Sequence, residues 1–310
     1  MTGLDFERPI LELERKIEEL KHITTDKEVI KRLEQELEKK KQEIYQSLKP
    51  WQKVKIARHP KRPYTLDYIA MMLTDFYELH GDRLFSDDKA MVAGLAKLDG
   101  QKLMVMGHQK GRDTKENLLR NFGCAHPEGY RKALRLMQLA QKPAIPILAL
   151  VDTPGAYPGI GAEERGQAQA IALNLREMVT IAAPIVVIVI GEGGSGGALG
   201  IGMGDRVCVM ENAYYSVISP EGCAAILWKD SAKANEAAQA LKLTAHELLS
   251  LGIIDDVIPE PQGGAHRDPE KAAQNLKKVI KKHLDELKQI PIDDLCALRY
   301  QKFRKIGAYA

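Results

Sequence analysis

Two glycine-rich segments, each directly after an apolar run, are the parts of this sequence best suited to chemistry. One is "GEGGSGGALGIGMG", which follows "PIVVIVI", and the other is "DTPGAYPGIGAEERG", which follows "IPILALV". Glycine allows a ligand to approach the main chain closely. Backbone N–H groups that point at one place stabilise negative charge as it develops on an oxygen. We therefore predict an oxyanion hole built from two loops, with tight helix–strand packing as the alternative reason for the glycines.

Two known motifs overlap in the first segment and give competing interpretations. Gly191, Gly193 and Gly196 match the dinucleotide fingerprint G-x-G-x-x-G. Gly193, Ser195 and Gly197 match the nucleophile elbow G-x-S-x-G of hydrolases. The letters "DTPG" in the other segment imitate a GTPase motif, but the sequence contains no G-x-x-x-x-G-K-[ST] loop to cradle a phosphate.

The context of these matches separates the alternatives. A dinucleotide site needs a long helix after its glycines, whereas about ten residues, four of them glycine, separate Gly196 from Arg206. A hydrolase with Ser195 as its nucleophile needs a base. The downstream candidates for that base are His246, His266 and His283. A serine hydrolase and a non-catalytic nucleotide-binding α/β protein both stay open as alternatives.

Strands that alternate with helices must position the two segments. "MVAGLAKLDGQKLMVMG" predicts two strands joined by a turn at Asp99 and Gly100, and "PEGYRKALRLMQLAQ" predicts a helix that begins at Pro127. The runs "IPILALV" and "PIVVIVI" are apolar on both faces, which is typical of parallel strands covered by helices. The predicted fold class is α/β. The two glycine segments then lie at the carboxyl edge of the sheet, where ligands bind.

The remaining helices follow from apolar spacing and capping residues. The helix after the "DTPG" segment carries an apolar stripe, and further helices begin at Ser219–Pro220 and beyond Asp268. The residues predicted to form that stripe are Ala168, Ile171, Ala172, Leu175, Met178, Val179 and Ala182.

Three regions divide the chain. Residues 1–49 predict a helical hairpin, with Thr25 and Glu28 as a capping box for its second helix. Residues 50–62, within "KPWQKVKIARHPKR", form a basic linker or docking arm, either a solvated loop or a surface for an anion or a partner. Residues 63–310 form the α/β domain.

Composition excludes several classes of protein. The 45 basic residues nearly balance the 42 acidic ones, so nucleic acid is not expected as the main ligand. The four cysteines are far apart and form no CxxC pair, which argues against a metal site in this chain and against a disulfide scaffold. No apolar signal region or membrane-length run occurs. We expect a soluble intracellular protein.

Several longer stretches resemble one family in order along nearly the whole chain. They are "GHQKGRDTKENLLRNFG", "PEGYRKALRLM", "DTPGAYPGIGAEERGQ", "GEGGSGGAL", "YYSVISPEGCAAILWKD" and "IPEPQGGAHRDP". They are similar to the carboxyltransferase alpha subunits of multisubunit bacterial and plastid acetyl-CoA carboxylase. The resemblance implies a crotonase-like fold, which is a spiral of ββα units.

The same resemblance implies an enzyme that works only with partners. A beta subunit of related fold, which carries the zinc ribbon, would join it in an α2β2 assembly. Its substrates would be acetyl-CoA and the carboxybiotin of biotin carboxyl carrier protein, which biotin carboxylase loads. The product would be malonyl-CoA, in the first committed step of fatty acid synthesis. The expected location is the bacterial cytoplasm, or the plastid stroma for an organelle-encoded chain.

The implied chemistry assigns roles to backbone groups. By resemblance, the peptide of Gly196 and Gly197 supplies one oxyanion donor for carboxybiotin. The second donor is expected among Gly155, Ala156 and Tyr157. No side chain is required as a base, so Ser195 becomes a small spacer and Glu192 a structural residue. Three basic residues, Lys110, Arg112 and Arg120, either contact anionic groups of a substrate or are solvated at the surface.

Overall fold

A mixed sheet forms the centre of the computed structural model, which describes residues 4–23 and 27–307. The sheet order is β1-β2-β3-β4-β5-β6-β8, and β7 pairs with β5. The strands are β1 (Thr74–Glu78), β2 (Met91–Leu98), β3 (Gln101–His108), β4 (Ile147–Thr153), β5 (Ile185–Gly194), β6 (Arg206–Met210), β7 (Tyr214–Ser216) and β8 (Asp256–Ile258).

The predicted hairpin and the predicted parallel core are both confirmed. Strands β2 and β3 pair antiparallel, and Asp99 and Gly100 in their turn have positive φ angles of 49° and 84°. A two-residue turn of this kind needs positive φ at both positions. From β3 to β8 the pairs are parallel. Every residue of β4 and β5 is buried, as their apolar composition predicts.

Helices cover both faces of the sheet and form the N-terminal region. They are α1 (Arg8–Ile23), α2 (Lys27–Gln46), α3 (Pro50–Ala57), α4 (Thr65–Met72), α5 (Thr114–Leu119), α6 (Pro127–Gln141), α7 (Ile160–Glu164), α8 (Gln167–Met178), α9 (Ser195–Leu199), α10 (Pro220–Trp228), α11 (Ala234–Ala240), α12 (Ala245–Ser250), α13 (Pro269–Leu287) and α14 (Ile292–Lys305). The predicted starts of α6, α10 and α13 are confirmed. Ser219 and Asp268 accept hydrogen bonds as N-caps of α10 and α13.

The prediction for the buried face of α8 was right for Met178 and wrong for most of its other residues. The buried residues are Gln167, Ala170, Asn174 and Met178, whereas the predicted Ala168 is exposed. Two polar residues occupy this face because their amide groups bind main-chain carbonyls. The Gln167 amide donates to Ala125 and Tyr157 carbonyls, and the Asn174 amide to Tyr130 and Gly200 carbonyls. Helix α8 therefore holds main chain in or beside both glycine segments.

Helices α1 and α2 form the predicted hairpin and cover each other's apolar stripes. Ile10, Ile17 and Leu37 form their buried cluster. Arg267 fastens the hairpin to the α/β domain through Glu7 and Glu14, at 3.4 and 3.3 Å. Thr25, the predicted cap of α2, lies outside the described residues. The division of the chain at residues 49 and 62 stays a prediction.

The basic segment 50–62 is docked on the domain. It contains α3, whose Val54, Ile56 and Ala57 are buried. Arg62 is fully buried and makes two hydrogen bonds of 2.8 and 2.6 Å with the Glu260 carboxylate. Its Nε also donates to the Ile190 carbonyl at 2.7 Å, directly before the glycine segment of β5. The segment therefore supports the end of β5.

Helix α14 is fastened to the start of β5 by a buried ion pair. Arg299 is 1% exposed and binds both oxygens of the Asp205 carboxylate at 2.8 Å. Its remaining N–H groups donate to three main-chain carbonyls, those of Met178, Ile181 and Ala183. All five donors of the guanidinium group are thus engaged.

None of the helices in the described ranges has the length and apolar composition needed to cross a bilayer.

Replacing Arg299 tests how much this pair stabilises the fold. Arg299→Ala leaves the Asp205 carboxylate and three carbonyls buried without their partner, so we expect the free energy of unfolding to fall by about 3–5 kcal/mol. Arg304→Ala is the control, because Arg304 lies on the same helix and is exposed. Urea denaturation followed by circular dichroism measures both. Equal losses in the two variants would contradict the role of the pair.

Candidate active site at the ends of strands β4 and β5

The two glycine segments lie against each other at the carboxyl edge of the sheet. Strands β4 and β5 pair in parallel up to Thr153, which is opposite Gly193. Beyond them, α9 touches the loop that follows β4. A Cβ atom on Gly197 would come within 2.4 Å of the Gly155 carbonyl carbon and 2.6 Å of the Ala156 nitrogen. These distances are too short for any side chain, so glycine is required here for the two loops to meet.

Two of the predicted donor N–H groups already make hydrogen bonds within the protein. The Gly155 N–H donates to the Thr153 hydroxyl at 3.1 Å, and the Tyr157 N–H donates to the Ala125 carbonyl at 3.0 Å. These two are therefore engaged. Among the described residues, no acceptor is within hydrogen-bonding distance of the N–H groups of Ala156, Gly196 and Gly197. Ala156 and Gly197 thus present free donors from two loops in direct contact.

The outer side of this contact has room for a ligand. A Cβ atom on Gly155 would meet no atom of the described residues within 4 Å. One on Gly196 would meet only the Ile171 side chain, at 3.6 Å. The main chain at Gly155 and Gly196 therefore has open space beside it.

Ser195 has an unusual backbone and no catalytic partner. It is exposed, and its φ of 47° lies in the left-handed region. No hydrogen bond joins its hydroxyl group to His246, His266 or His283 within the described structure. His283 instead faces Asp256 and Glu286, and His266 stacks on His59 with ring centroids 3.9 Å apart. The geometry therefore contains no Ser–His pair of the kind that the hydrolase alternative requires.

The helix that follows the glycines of β5 is too short for the dinucleotide alternative. Helix α9 has five residues, and β6 begins at Arg206. This agrees with the prediction of a short helix and leaves no long helix whose N-terminus could face a pyrophosphate.

A cluster of charged residues lies beneath the two loops, and we call it the charge cluster: Lys110, Asp152, Glu192, Arg58 and Tyr214. The Lys110 ammonium group lies 2.7 Å from Asp152 and 3.2 Å from Glu192. Glu192 also accepts from Arg58 at 3.0 Å and from the Tyr214 hydroxyl at 2.7 Å. Arg58 pairs further with Glu221 at 2.5 Å. The cluster thus joins β4, β5 and β7 to the segments that directly follow β3 and α3.

The charges in this cluster support each other. Burial raises the pKa of Glu192, but Lys110 and Arg58 outweigh this effect and lower it to about 2. Burial lowers the pKa of Lys110, but Asp152 and Glu192 outweigh that effect and raise it above its ordinary value. Lys110 and Glu192 are therefore both ionised near neutral pH.

The three predicted basic residues have different environments. Lys110 is largely buried in the charge cluster, which differs from a solvated side chain. Arg112 pairs with Asp67 and lies over the Tyr64 ring, with 4.0 Å to its centroid. Arg120 donates to the Lys89 carbonyl at 2.9 Å. Arg112 and Arg120 therefore support local structure.

Several residues of this site were missed by sequence reasoning. Arg58 and Tyr214 lie far from Glu192 along the chain, by 134 and 22 positions. No local pattern marks either residue. Asp152 does carry a signal, because it ends an apolar strand directly before a glycine segment.

A cavity of about 220 Å³ opens beside the cluster, where Phe122 and Pro154 form part of its wall. Within the described ranges, no group of three or more metal-binding side chains occurs.

Comparison with known proteins gives a consistent result. Residues 3–307 match the model of the family described as acetyl co-enzyme A carboxylase carboxyltransferase-like. The chain is 58% identical to the acetyl-coenzyme A carboxylase carboxyl transferase subunit alpha of Geobacter metallireducens, over 99% of this chain and 98% of that protein.

Solved structures show the same fold at low identity. The malonate decarboxylase hetero-tetramer of a Pseudomonas, in complex with coenzyme A, matches with a TM-score of 0.55 and 18% identity, over 69% of this chain and 85% of that one. Transcarboxylase 12S matches with a TM-score of 0.53 and 22% identity. That match covers 67% of this chain but only 40% of the transcarboxylase chain. The fold is crotonase-like, as the resemblance implied. The chain belongs to the acetyl-CoA carboxylase carboxyltransferase family, among its alpha subunits.

Proposed function

We propose that this chain forms the carboxybiotin-binding half of the carboxyltransferase of acetyl-CoA carboxylase. The complete enzyme moves a carboxyl group from carboxybiotin to acetyl-CoA and produces malonyl-CoA, in the first committed step of fatty acid synthesis. The observation that carries the proposal is the pair of free N–H groups on Ala156 and Gly197, in two loops that touch.

The proposal includes specific partners. A beta subunit with a zinc ribbon would complete an α2β2 assembly and bind most of acetyl-CoA. Biotin carboxyl carrier protein would bring carboxybiotin, which biotin carboxylase regenerates. The proposed location is the bacterial cytoplasm, or the plastid stroma. The relatives' name, subunit alpha, supports an assembly of several different chains.

The main chain of this protein does the proposed chemical work. Carboxybiotin supplies the carboxyl group, and negative charge develops on its ureido oxygen during the transfer. The N–H groups of Ala156 and Gly197 donate to that oxygen. Because both are main-chain groups in packed loops, they need no reorganisation as the charge appears. The open space at Gly155 and Gly196 fits the approach of a flat bicyclic ring.

The site needs no base from this chain, because the ureido group of biotin becomes negative when its N–C bond to the carboxyl group breaks and can take the proton that the methyl group of acetyl-CoA loses as the new C–C bond forms. The titratable groups beneath the loops are the members of the charge cluster, and their charges are already engaged in ion pairs. His108 is fully buried, and burial lowers its pKa to about 3, with the charge of Lys110 acting in the same direction. A histidine with so low a pKa is a poor base near neutral pH.

A methyl group at Gly197 tests the oxyanion hole. In Gly197→Ala the new Cβ would collide with the peptide between Gly155 and Ala156 and push the two donors apart. We expect biotin-dependent decarboxylation of malonyl-CoA by the assembled complex to fall about 100- to 1000-fold, which is typical for loss of one oxyanion donor.

Leu199→Ala is the control, because Leu199 is exposed on the same short helix and is not one of the proposed donors. It should keep its activity within about tenfold and its melting temperature. Gel filtration of both complexes shows whether assembly persists. Full turnover by an assembled Gly197→Ala complex would overturn the proposal, and so would failure of Gly197→Ala to fold or to assemble, since packing alone would then explain the glycine.

A second test concerns Ser195. The proposal gives its hydroxyl no chemical role, and the hydroxyl makes no hydrogen bond within the described structure. Ser195→Ala should therefore retain most of the transferase activity. A loss beyond about a thousandfold would restore the nucleophile interpretation. Steady-state rates of carboxyl transfer by the complete enzyme measure the effect.

A further inference from the structure

One oxygen atom of the charge cluster joins the ends of β4 and β5, directly before the two loops. Asp152 Oδ1 accepts from the Lys110 ammonium group at 2.7 Å and from the backbone N–H of Glu192 at 2.9 Å. Asp152 leads into the loop that carries Ala156, and Glu192 leads into the loop that carries Gly197. The spacing of the two loops therefore depends on this carboxylate.

The close approach of Asp152 to the second loop needs a glycine. A Cβ on Gly191 would lie 2.5 Å from Asp152 Oδ1, which is shorter than any real contact. This observation explains a glycine that neither the donors nor the turn of α9 requires. The main chain at Gly191 and Glu192 is thus shaped to receive the carboxylate.

The side chain of Glu192 fixes the second loop from the opposite side. Its carboxylate binds Lys110, Arg58 and Tyr214, which lie just after β3, just after α3 and in β7. Strand β7 also pairs directly with the main chain of residues 192–194. Lys110 is the group that both carboxylates share, since it bridges Asp152 and Glu192.

We propose that Lys110 is a positioning residue for carboxyl transfer. It neutralises Asp152 and Glu192 together and so keeps the two loops at the separation at which Ala156 and Gly197 donate to one oxygen. The inference rests on the proposed function of those two N–H groups. Without the ammonium group, two carboxylates would face each other with Arg58 as the remaining nearby cation, and like charges at this range repel.

Lys110→Met removes the charge and keeps most of the side-chain volume. We expect kcat for biotin-dependent malonyl-CoA decarboxylation to fall about 100-fold while KM for biotin stays unchanged, because donors that are displaced weaken transition-state binding most. Lys110→Arg keeps the charge, and its kcat should be at least tenfold higher than that of Lys110→Met. Lys115→Met, at an exposed lysine nearby on α5, is the control and should match the wild type. A wild-type kcat for Lys110→Met would overturn the inference.

The pH dependence of kcat gives a readout that a packing defect would not change. In the wild type, Glu192 has a lowered pKa of about 2. Its stabilising contribution is therefore complete above about pH 4.5 and is lost as the pH falls from there towards 2. The wild-type cluster should therefore cause no change in kcat between about pH 5 and 8.

In Lys110→Met one of the two carboxylates gains a raised pKa, because like charges share the site. Its proton relieves the repulsion, so kcat relative to the wild type should decrease as the pH rises. The other charged or titratable groups that face the pair or Lys110 are Arg58, Arg62, Tyr64, Tyr68, His108, Cys124, Tyr214 and Glu221. Burial raises the pKa of the three tyrosines and of Cys124 and lowers that of His108, and this burial persists in Lys110→Met, so these groups stay uncharged over this pH range in both proteins. A ratio that stays constant with pH would overturn the inference.

Combining the two changes separates this inference from the proposed function. If Lys110 acts through the donors, the double variant Lys110→Met/Gly197→Ala should be no slower than Gly197→Ala alone. If the loss of kcat in the double variant equals the product of the losses in the two single variants, the inference is overturned. If Gly197→Ala alone is fully active, the proposed function fails, whatever Lys110→Met does.

Should Lys110→Met fail to assemble, Tyr214→Phe tests the same cluster with a smaller change. It removes the hydrogen bond that Tyr214 donates to Glu192 and the one that it accepts from Arg58, without changing a charge. We expect kcat to fall severalfold at an unchanged melting temperature and an unchanged KM for biotin, and full activity would overturn the inference.

Discussion

The close contact between two main-chain segments is the constraint on which the rest of this structure depends. At Gly197 there is no space for a single methyl group, because the peptide of Gly155 and Ala156 fills it. Such an approach needs two adjacent parallel strands that end at the same level, which β4 and β5 provide. It also needs a helix that begins directly after β5, because Gly197 lies in the first turn of α9 and its N–H thereby stays near the first loop.

Holding these segments together requires charges to be buried beneath them. A buried ion pair is weak support for stability, because removing charges from water costs about as much as their attraction returns. An apolar core of the same volume would therefore serve stability as well. It could not, however, accept hydrogen bonds from a main-chain N–H and from a lysine ammonium group at once, as Asp152 does. The hydrogen bonds and ion pairs of the charge cluster fix the direction and distance between the groups that they join, whereas apolar contacts are not directional.

Local signals made much of the fold predictable, and long-range contacts made the rest unpredictable. The hairpin at Asp99 and Gly100 and the start of α6 depend on residues within one turn. The glycine loops could be located because they follow unmistakable buried strands. By contrast, Arg58 reaches Glu192 across 134 positions, and no periodicity records that contact. Helix α8 misled the prediction because Gln167 and Asn174 are buried to bind carbonyls, and hydrophobic spacing assigns such residues to the surface.

The proposed oxyanion hole also bears on where a second one would lie. Carboxyl transfer to a thioester develops charge on two oxygens, and the proposed donors Ala156 and Gly197 would serve only one of them. The donors for the other oxygen must then lie close by, since both charges belong to a single transfer. On this chain the open side of the site is at Gly155 and Gly196, where an added Cβ would be accommodated. A second set of donors would have to face that side, and a separate subunit of related fold is well suited to present it, because the same pair of strand ends would supply the same kind of main-chain N–H groups.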